Sequence, residues 1–214
     1  MRSNSLTLEL IRSIAPPDYM YGKWTGYSDS EHNMSDWWWS FLRGSDCAAW
    51  WRVDHYVNAR ADPGRGRGIA FAQYKNVKAY VAIDMELEVT DAAEVRLHRA
   101  VVAADTGQVV DPDGLAAQLE GGVLQAASWT LYEEVRFDRD GITSRDWDSY
   151  PILRFGNVPS INTILMERPG EPFLGAGEAT TGPTAAAIAN AVYRATGLRL
   201  RRLPLTPEAV KLAA

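Results

Sequence analysis

The sequence predicts an α+β fold, with helices packed on mixed sheets, and three observations predict it. Residues 80–90 alternate strictly, with Val81, Ile83, Met85, Leu87 and Val89 on one face and Asp84, Glu86 and Glu88 on the other. That is the pattern of a strand with one face in water. Residues 115–134 carry a helical apolar stripe of Leu115, Leu119, Val123 and Thr130 or Leu131, interrupted by the pair Gly121-Gly122. Near the C-terminus, an alanine-rich helical run at 185–191 follows Pro183 and the tight sequence Gly175-Ala176-Gly177-Glu178.

The chain has 214 residues, 46% of them hydrophobic, enough for a real core and one or two domains. Its first 63 residues differ in texture, holding Trp37-Trp38-Trp39 and Trp50-Trp51, with helical periodicity only at 5–14. We therefore expect a division into a Trp-rich segment, 1–63, and a regular domain, 64–214. Residues 62–68 (Asp-Pro-Gly-Arg-Gly-Arg-Gly) read as a turn or linker. A phosphate loop is the sharper alternative, but the Lys-Ser/Thr pair it needs is absent. A short strand is expected at 69–74, then the alternating strand, a turn at 91–94 and a partner strand at 95–103. The acidic stripe of the alternating strand reads as its solvent side rather than a cation site. Asp111-Pro112-Asp113-Gly114 reads as the turn that starts the long helix, and residues 150–154 and 161–167 as a second hairpin-like unit. For the last helix, Gly182 is the expected N-cap, Pro183 fits the first turn, and Gly197 fits a left-handed C-terminal residue.

Composition excludes several functions. A formal net charge of -5 argues against a nucleic-acid partner. The local basic run at 199–202 is broken by Leu200 and reads as a solvated strand or helix edge. Cys47 is the sole cysteine, so the chain can build neither an internal disulfide nor an iron–sulfur cluster. His32, His55 and His98 lack metal-ligand spacing, and no protein-ligated metal is expected. No stretch is long and apolar enough to span a membrane and no signal pattern opens the chain, so a soluble, cytoplasmic protein is expected from the sequence as given.

Two segments carry chemistry. Glu178 follows two glycines and precedes a helix entrance, where it is either a reactive carboxylate or a charge placed to favour the helix dipole. Gln118, Gly121, Gly122, Gln125 and Trp129 share a second face of the long helix. Each helical glycine costs about 1 kcal/mol relative to Ala, which close approach of a backbone or ligand would offset. A helix–helix crossing is the plainer explanation.

These segments, Gln118-Leu119-Glu120-Gly121-Gly122-Val123-Leu124-Gln125, Ser149-Tyr150-Pro151-Ile152 and Gly175-Ala176-Gly177-Glu178 with Pro183, form an ordered set. The set resembles the C-terminal part of the large subunit of the molybdenum hydroxylases, the xanthine dehydrogenase and aldehyde oxidase family. Gly66-Arg67-Gly68-Ile69-Ala70-Phe71 and Trp147-Asp148-Ser149-Tyr150 resemble most the bacterial branch that includes isoquinoline 1-oxidoreductase beta subunits. The resemblance spans 64–214 and implies the second molybdopterin-binding lobe of such an enzyme. It implies that Glu178 is the general base, taking a proton from a molybdenum-bound hydroxyl as that oxygen attacks an electron-poor carbon of an aldehyde or N-heterocycle. It implies that Gln118 contacts molybdopterin, with Gly121, Gly122, Gly175 and Gly177 admitting the cofactor. The implied cofactor is molybdopterin with molybdenum, shared with lobes that lie upstream in the family and are missing here. Iron–sulfur clusters would sit on a partner. The implied partners are the remainder of the large subunit, an iron–sulfur small subunit and a small-molecule substrate, and a periplasmic location stays open for an intact family enzyme. Residues 1–63 do not resemble the family, and their composition would fit a shifted reading frame or recombined start. The expected function is thus that of a hydroxylase fragment needing the missing lobes. A catalytically inactive remnant or an interaction module acting through the Trp-rich segment is the alternative. A carboxylate hydrolase has little support, because no second acid stands at a fixed short spacing from Glu178.

Overall fold

The computed structural model describes residues 64–76 and 78–214; the Trp-rich segment and the helix expected at 5–14 lie outside them. The described chain runs β1 (Arg65–Gln73), β2 (Tyr80–Val89), β3 (Val95–Asp105), α1 (Pro112–Leu131), β4 (Phe137–Asp138), β5 (Gly141–Ile142), β6 (Ser160–Leu165), α2 (Thr181–Thr196) and α3 (Pro207–Ala213). The main sheet has the order β1-β2-β3-β6, antiparallel except for the parallel pair β3/β6. With helices covering one face, this is the expected α+β architecture.

The alternation of β2 does what it predicts on the core side. Val81, Ile83, Met85 and Leu87 are buried with Leu119, Val123 and Ala127 of α1 and Ala187, Ile188 and Ala191 of α2. The apolar pattern of β3 changes parity midway, and a bulge explains it. Glu86 pairs with Arg99 and Leu87 with Leu97, so His98 is an extra residue. Val95 and Leu97 on one side of the bulge, and Ala100, Val102 and Ala104 on the other, all reach the same core.

Of the residues read as a turn or linker, Gly64 does stand in a turn, whereas residues 65–68 belong to β1, whose first residue is Arg65. Its glycines are a packing device. A Cβ on Gly66 would stand 1.9 Å from the Ala191 carbonyl oxygen, and one on Gly68 would stand 2.2 Å from that of Ala187. The bare backbone of β1 thus accepts α2 at its alanine face, and Asn190 Nδ2 donates to the Ile69 carbonyl at 3.0 Å.

The second face of the sheet is only in part the wet face that the acidic stripe suggested: Glu86 and Glu88 reach solvent, but the face is closed beyond them. Ala82, Val101 and Ala103 are buried there, with Ile69, Phe71, Tyr80, Ile164 and Met166 packed around them. Asp84 is buried too, because Arg67 on the neighbouring strand folds over it. Arg67 Nε donates to Asp84 Oδ1 at 3.0 Å, its Nη2 donates to Oδ2, and its Nη1 lies 3.2 Å from Glu86. Burial pushes the Asp84 carboxyl up to about 6, with the Arg67 guanidinium pulling the other way.

Residues 150–154 do not form the first strand of a hairpin. Tyr150 Oη donates to Glu133 at 2.8 Å and the Leu153 amide donates to Ser128 Oγ at 2.9 Å, which ties this segment to the end of α1. The Glu133 carboxylate raises the Tyr150 phenol above its usual range. The second half of the expected unit becomes β6, beside β3. The run 199–202 lies outside the regular elements, in an exposed strap where Arg199 stacks on the Tyr193 ring at 3.6 Å and Arg202 lies 3.5 Å from Glu134. The strap ends where the Leu205 amide donates to the Thr130 carbonyl at 2.7 Å, and Thr206 caps α3.

Two outcomes follow from this packing. Gly68→Ala is expected to destabilise the chain by about 1–3 kcal/mol in urea unfolding, because the added methyl meets helix backbone. Gly156→Ala, with no atom within 4 Å of its Cβ, should stay within about 0.5 kcal/mol of wild type. For Asp84, the folded state holds the proton more tightly than the unfolded chain, whose value is 3.8. Its contribution is therefore fully present below about pH 4 and is lost as the pH rises through about 6. The stability of wild type relative to Asp84→Asn should fall by about 2–3 kcal/mol across that window. A flat difference would show an ordinary carboxyl.

Candidate functional site

The site forms where the first half of α1, the loop 166–180 and the end of β1 converge. Asp111 caps α1 by accepting from the Gly114 amide at 3.0 Å, and Pro112 occupies the first turn. The helix therefore begins three residues earlier than its apolar stripe suggested and ends at Leu131. Leu119 and Val123 point into the core, which leaves Gln118, Gly121 and Gln125 exposed.

The two helical glycines have different surroundings. A Cβ on Gly122 would lie 2.2 Å from Thr180 Oγ1, whereas one on Gly121 would have no atom within 4 Å. The close approach at Gly122 is thus made by Thr180, which is buried and donates its hydroxyl to the Leu119 carbonyl at 3.1 Å. The same contact explains a shifted cap. Thr180, not Gly182, is the N-cap residue of α2, and its side chain gives no capping bond because α1 has taken it. Pro183 does stand in the first turn, and Gly197 does close the helix in the left-handed conformation at φ 76°.

The approach to Glu178 is laced to the end of β3. The Met166 amide donates to the Ala104 carbonyl and the Leu174 amide to the Thr106 carbonyl, both at 2.9 Å. Buried Asp105 accepts from Arg168 Nε and from the Gly107 amide, each at 3.0 Å, which compensates its carboxylate. Gly107, at φ +73°, leaves room for Pro172, whose carbonyl oxygen would stand 1.9 Å from a Cβ there. Only after this fastening does the loop turn at Gly175 with φ +75°, a conformation that favours glycine.

Gln118 and the Glu178 loop meet directly. Gln118 Nε2 donates to the Gly177 carbonyl at 2.6 Å. Glu178 is exposed, and its Oε2 accepts from Tyr74 Oη at 2.9 Å, a partner that the sequence does not signal. Among the described residues, no hydrogen bond reaches Glu178 Oε1 or the Gln118 side-chain oxygen. The Glu178 carbonyl accepts from the Thr181 hydroxyl at 2.8 Å and so leads into α2. Gln118, Gly121, Gly175, Gly177 and Glu178 are all exposed, whereas Gly122 is buried. No cluster of His, Cys, Asp and Glu among the described residues could hold a metal ion, and no helix among them is long and apolar enough to cross a membrane.

Comparison with known proteins identifies the family and the fold. The family model described as molybdopterin cofactor-binding domain matches residues 43–159. A nicotinate dehydrogenase subunit from Pseudomonas putida is 40% identical over 73% of this chain and 14% of its own length. The beta subunit of isoquinoline 1-oxidoreductase from Brevundimonas diminuta is 34% identical over 70% of this chain and 19% of its own. Among solved structures, quinoline 2-oxidoreductase from Pseudomonas putida 86 superposes with a TM-score of 0.59 at 26% identity, covering 63% of this chain and 18% of that one. The aldehyde oxidoreductase of Desulfovibrio gigas gives 0.55 at 28% identity, over 63% and 15%. The chain spans less than a fifth of the length of each of these relatives. A domain-family match over more than half the sequence, with this shared fold, shows that the chain belongs to the molybdopterin cofactor-binding domains of the molybdenum hydroxylase family.

Proposed function

We propose that this chain forms one wall of a molybdopterin site and presents Glu178 as the general base of a hydroxylation. The observation that carries the reading is the hydrogen bond from Gln118 to the Gly177 carbonyl, which brings the Glu178 loop against the exposed Gly121 face of α1. The residues present suit such a group. Bare backbone at Gly121 and Gly175 leaves space for a flat molecule, and the Gln118 oxygen is an acceptor that no described residue engages. Gln118, Gly121, Gly175 and Gly177 would hold the cofactor, with Gly122 acting through the seat that it gives Thr180. When bound, molybdopterin with molybdenum supplies the redox chemistry that places a water-derived oxygen on an electron-poor carbon.

The chain's own part is proton transfer and orientation. Glu178 Oε1 takes the proton, while the Tyr74 bond at Oε2 fixes the direction in which the carboxylate faces. Relatives named for nicotinate, isoquinoline and quinoline support an N-heterocyclic carbon as the substrate class, with an aldehyde as the alternative. The remainder of the large subunit and an iron–sulfur small subunit complete the proposed enzyme. The described region is proposed to act within one lobe, which the family match extends back to residue 43.

Co-expression with the remaining lobes should yield molybdenum binding and hydroxylation. Glu178→Gln should then lower kcat by about 10²–10⁴ with the molybdenum content unchanged. A complemented wild type that is metal-free and inactive, or a variant that turns over normally, would contradict the reading.

A further inference from the structure

We infer that Tyr74 is a positioning residue for Glu178, a role that rests on the reading of Glu178 as the base. Tyr74 lies at the β1–β2 turn, far from the loop in sequence, and its placement is fixed at four points. Its ring packs against the main core. Its amide donates to the Ala79 carbonyl and its carbonyl accepts from the Lys78 amide, both at 2.8 Å, which closes the turn. The Lys75 ammonium stands over its ring, 5.2 Å from the centroid, so that cation and aromatic face support each other. Its hydroxyl rests on the loop: a Cβ on Gly177 would lie 2.9 Å from it.

The phenol therefore has a partly buried body and a polar tip, and the tip donates to Glu178 Oε2 at 2.9 Å. A glutamate in an exposed loop would otherwise sample several rotamers, each facing the reacting proton differently. One donor on one oxygen selects the orientation that leaves Oε1 outward. A side chain at 177 would crowd the hydroxyl. Among the described residues, Tyr74 is the sole hydrogen-bonding partner of the Glu178 carboxylate, so the orientation depends on this bond.

Two double-mutant cycles with Tyr74→Phe and Glu178→Gln test the inference, one without any cofactor. In urea unfolding of the chain, where Glu178→Ala replaces Glu178→Gln because a glutamine oxygen would still accept from the Tyr74 hydroxyl, each single change should shift the unfolding equilibrium about 5-fold and the second change should add almost nothing. In the assembled enzyme, Tyr74→Phe should lower kcat about 10-fold with KM unchanged. In the Glu178→Gln background it should have no further effect, which a merely structural role would not produce. Additive losses in both cycles, with Glu178→Gln inactive, would overturn the positioning role and leave the base reading standing. Coupling in the unfolding cycle with normal turnover by Glu178→Gln would overturn the base reading and leave only the contact.

Discussion

The close seating of α2 on the bare backbone of β1 is the constraint on which the rest of the molecule depends. Gly66 and Gly68 leave no room for a side chain between strand and helix, and Ala187 and Ala191 meet them from the other side. Such an interface sets helix backbone directly against strand backbone, where any added side chain would strike main-chain atoms. The helix runs antiparallel to the strand, with Gly66 beside Ala191 and Gly68 beside Ala187. The end of β1 and the start of α2 therefore arrive together, and Tyr74 meets Glu178.

Two further glycines extend the same logic to the neighbouring elements. Gly122 lets Thr180 reach into α1 and bond the Leu119 carbonyl, so the entrance of α2 is fastened to a second helix. Gly107 lets the loop cross the end of β3 at Pro172, beside the buried Asp105–Arg168 pair. Each is a position where a methyl group would strike an atom of a neighbouring element. The helix propensity lost at Gly122, about 1 kcal/mol, is offset by a buried hydroxyl bond of similar size. Gly121 has no such contact, and its open backbone faces outward with Gln118. The fold thus uses its close contacts to hold one loop and leaves one helix face free beside it.

The parts legible in the sequence were those whose reason is local. The alternation of β2, the apolar stripe of α1, Pro183 in the first turn and Gly197 at the end each record their own element's geometry. What escaped was set by distant partners. Gly66 and Gly68 looked like a linker because the helix that requires them lies more than a hundred residues away, as Asn190 and Ile69 do. Tyr74 gave no signal, since its partner is 104 positions distant. Asp84 looked solvated because nothing in its own strand shows that Arg67 covers it. Residues 150–154 had the composition of a strand, yet their partners are Ser128 near the end of α1 and Glu133 just beyond it. The motifs around Gln118 and Glu178 were readable as a pair only through resemblance. Their contact, through Gly177, came from the fold.

The central claim is that this seating delivers Glu178 and Gln118 together to one wall of a molybdopterin site. An experimental structure of the assembled, cofactor-loaded enzyme tests it most directly. The account predicts the cofactor against the Gly121 face of α1, with Gln118 in contact with it, Glu178 directed toward the metal and the Tyr74 bond retained. A cofactor bound on any other face of this domain, with the Glu178 loop turned away from it, would contradict the account.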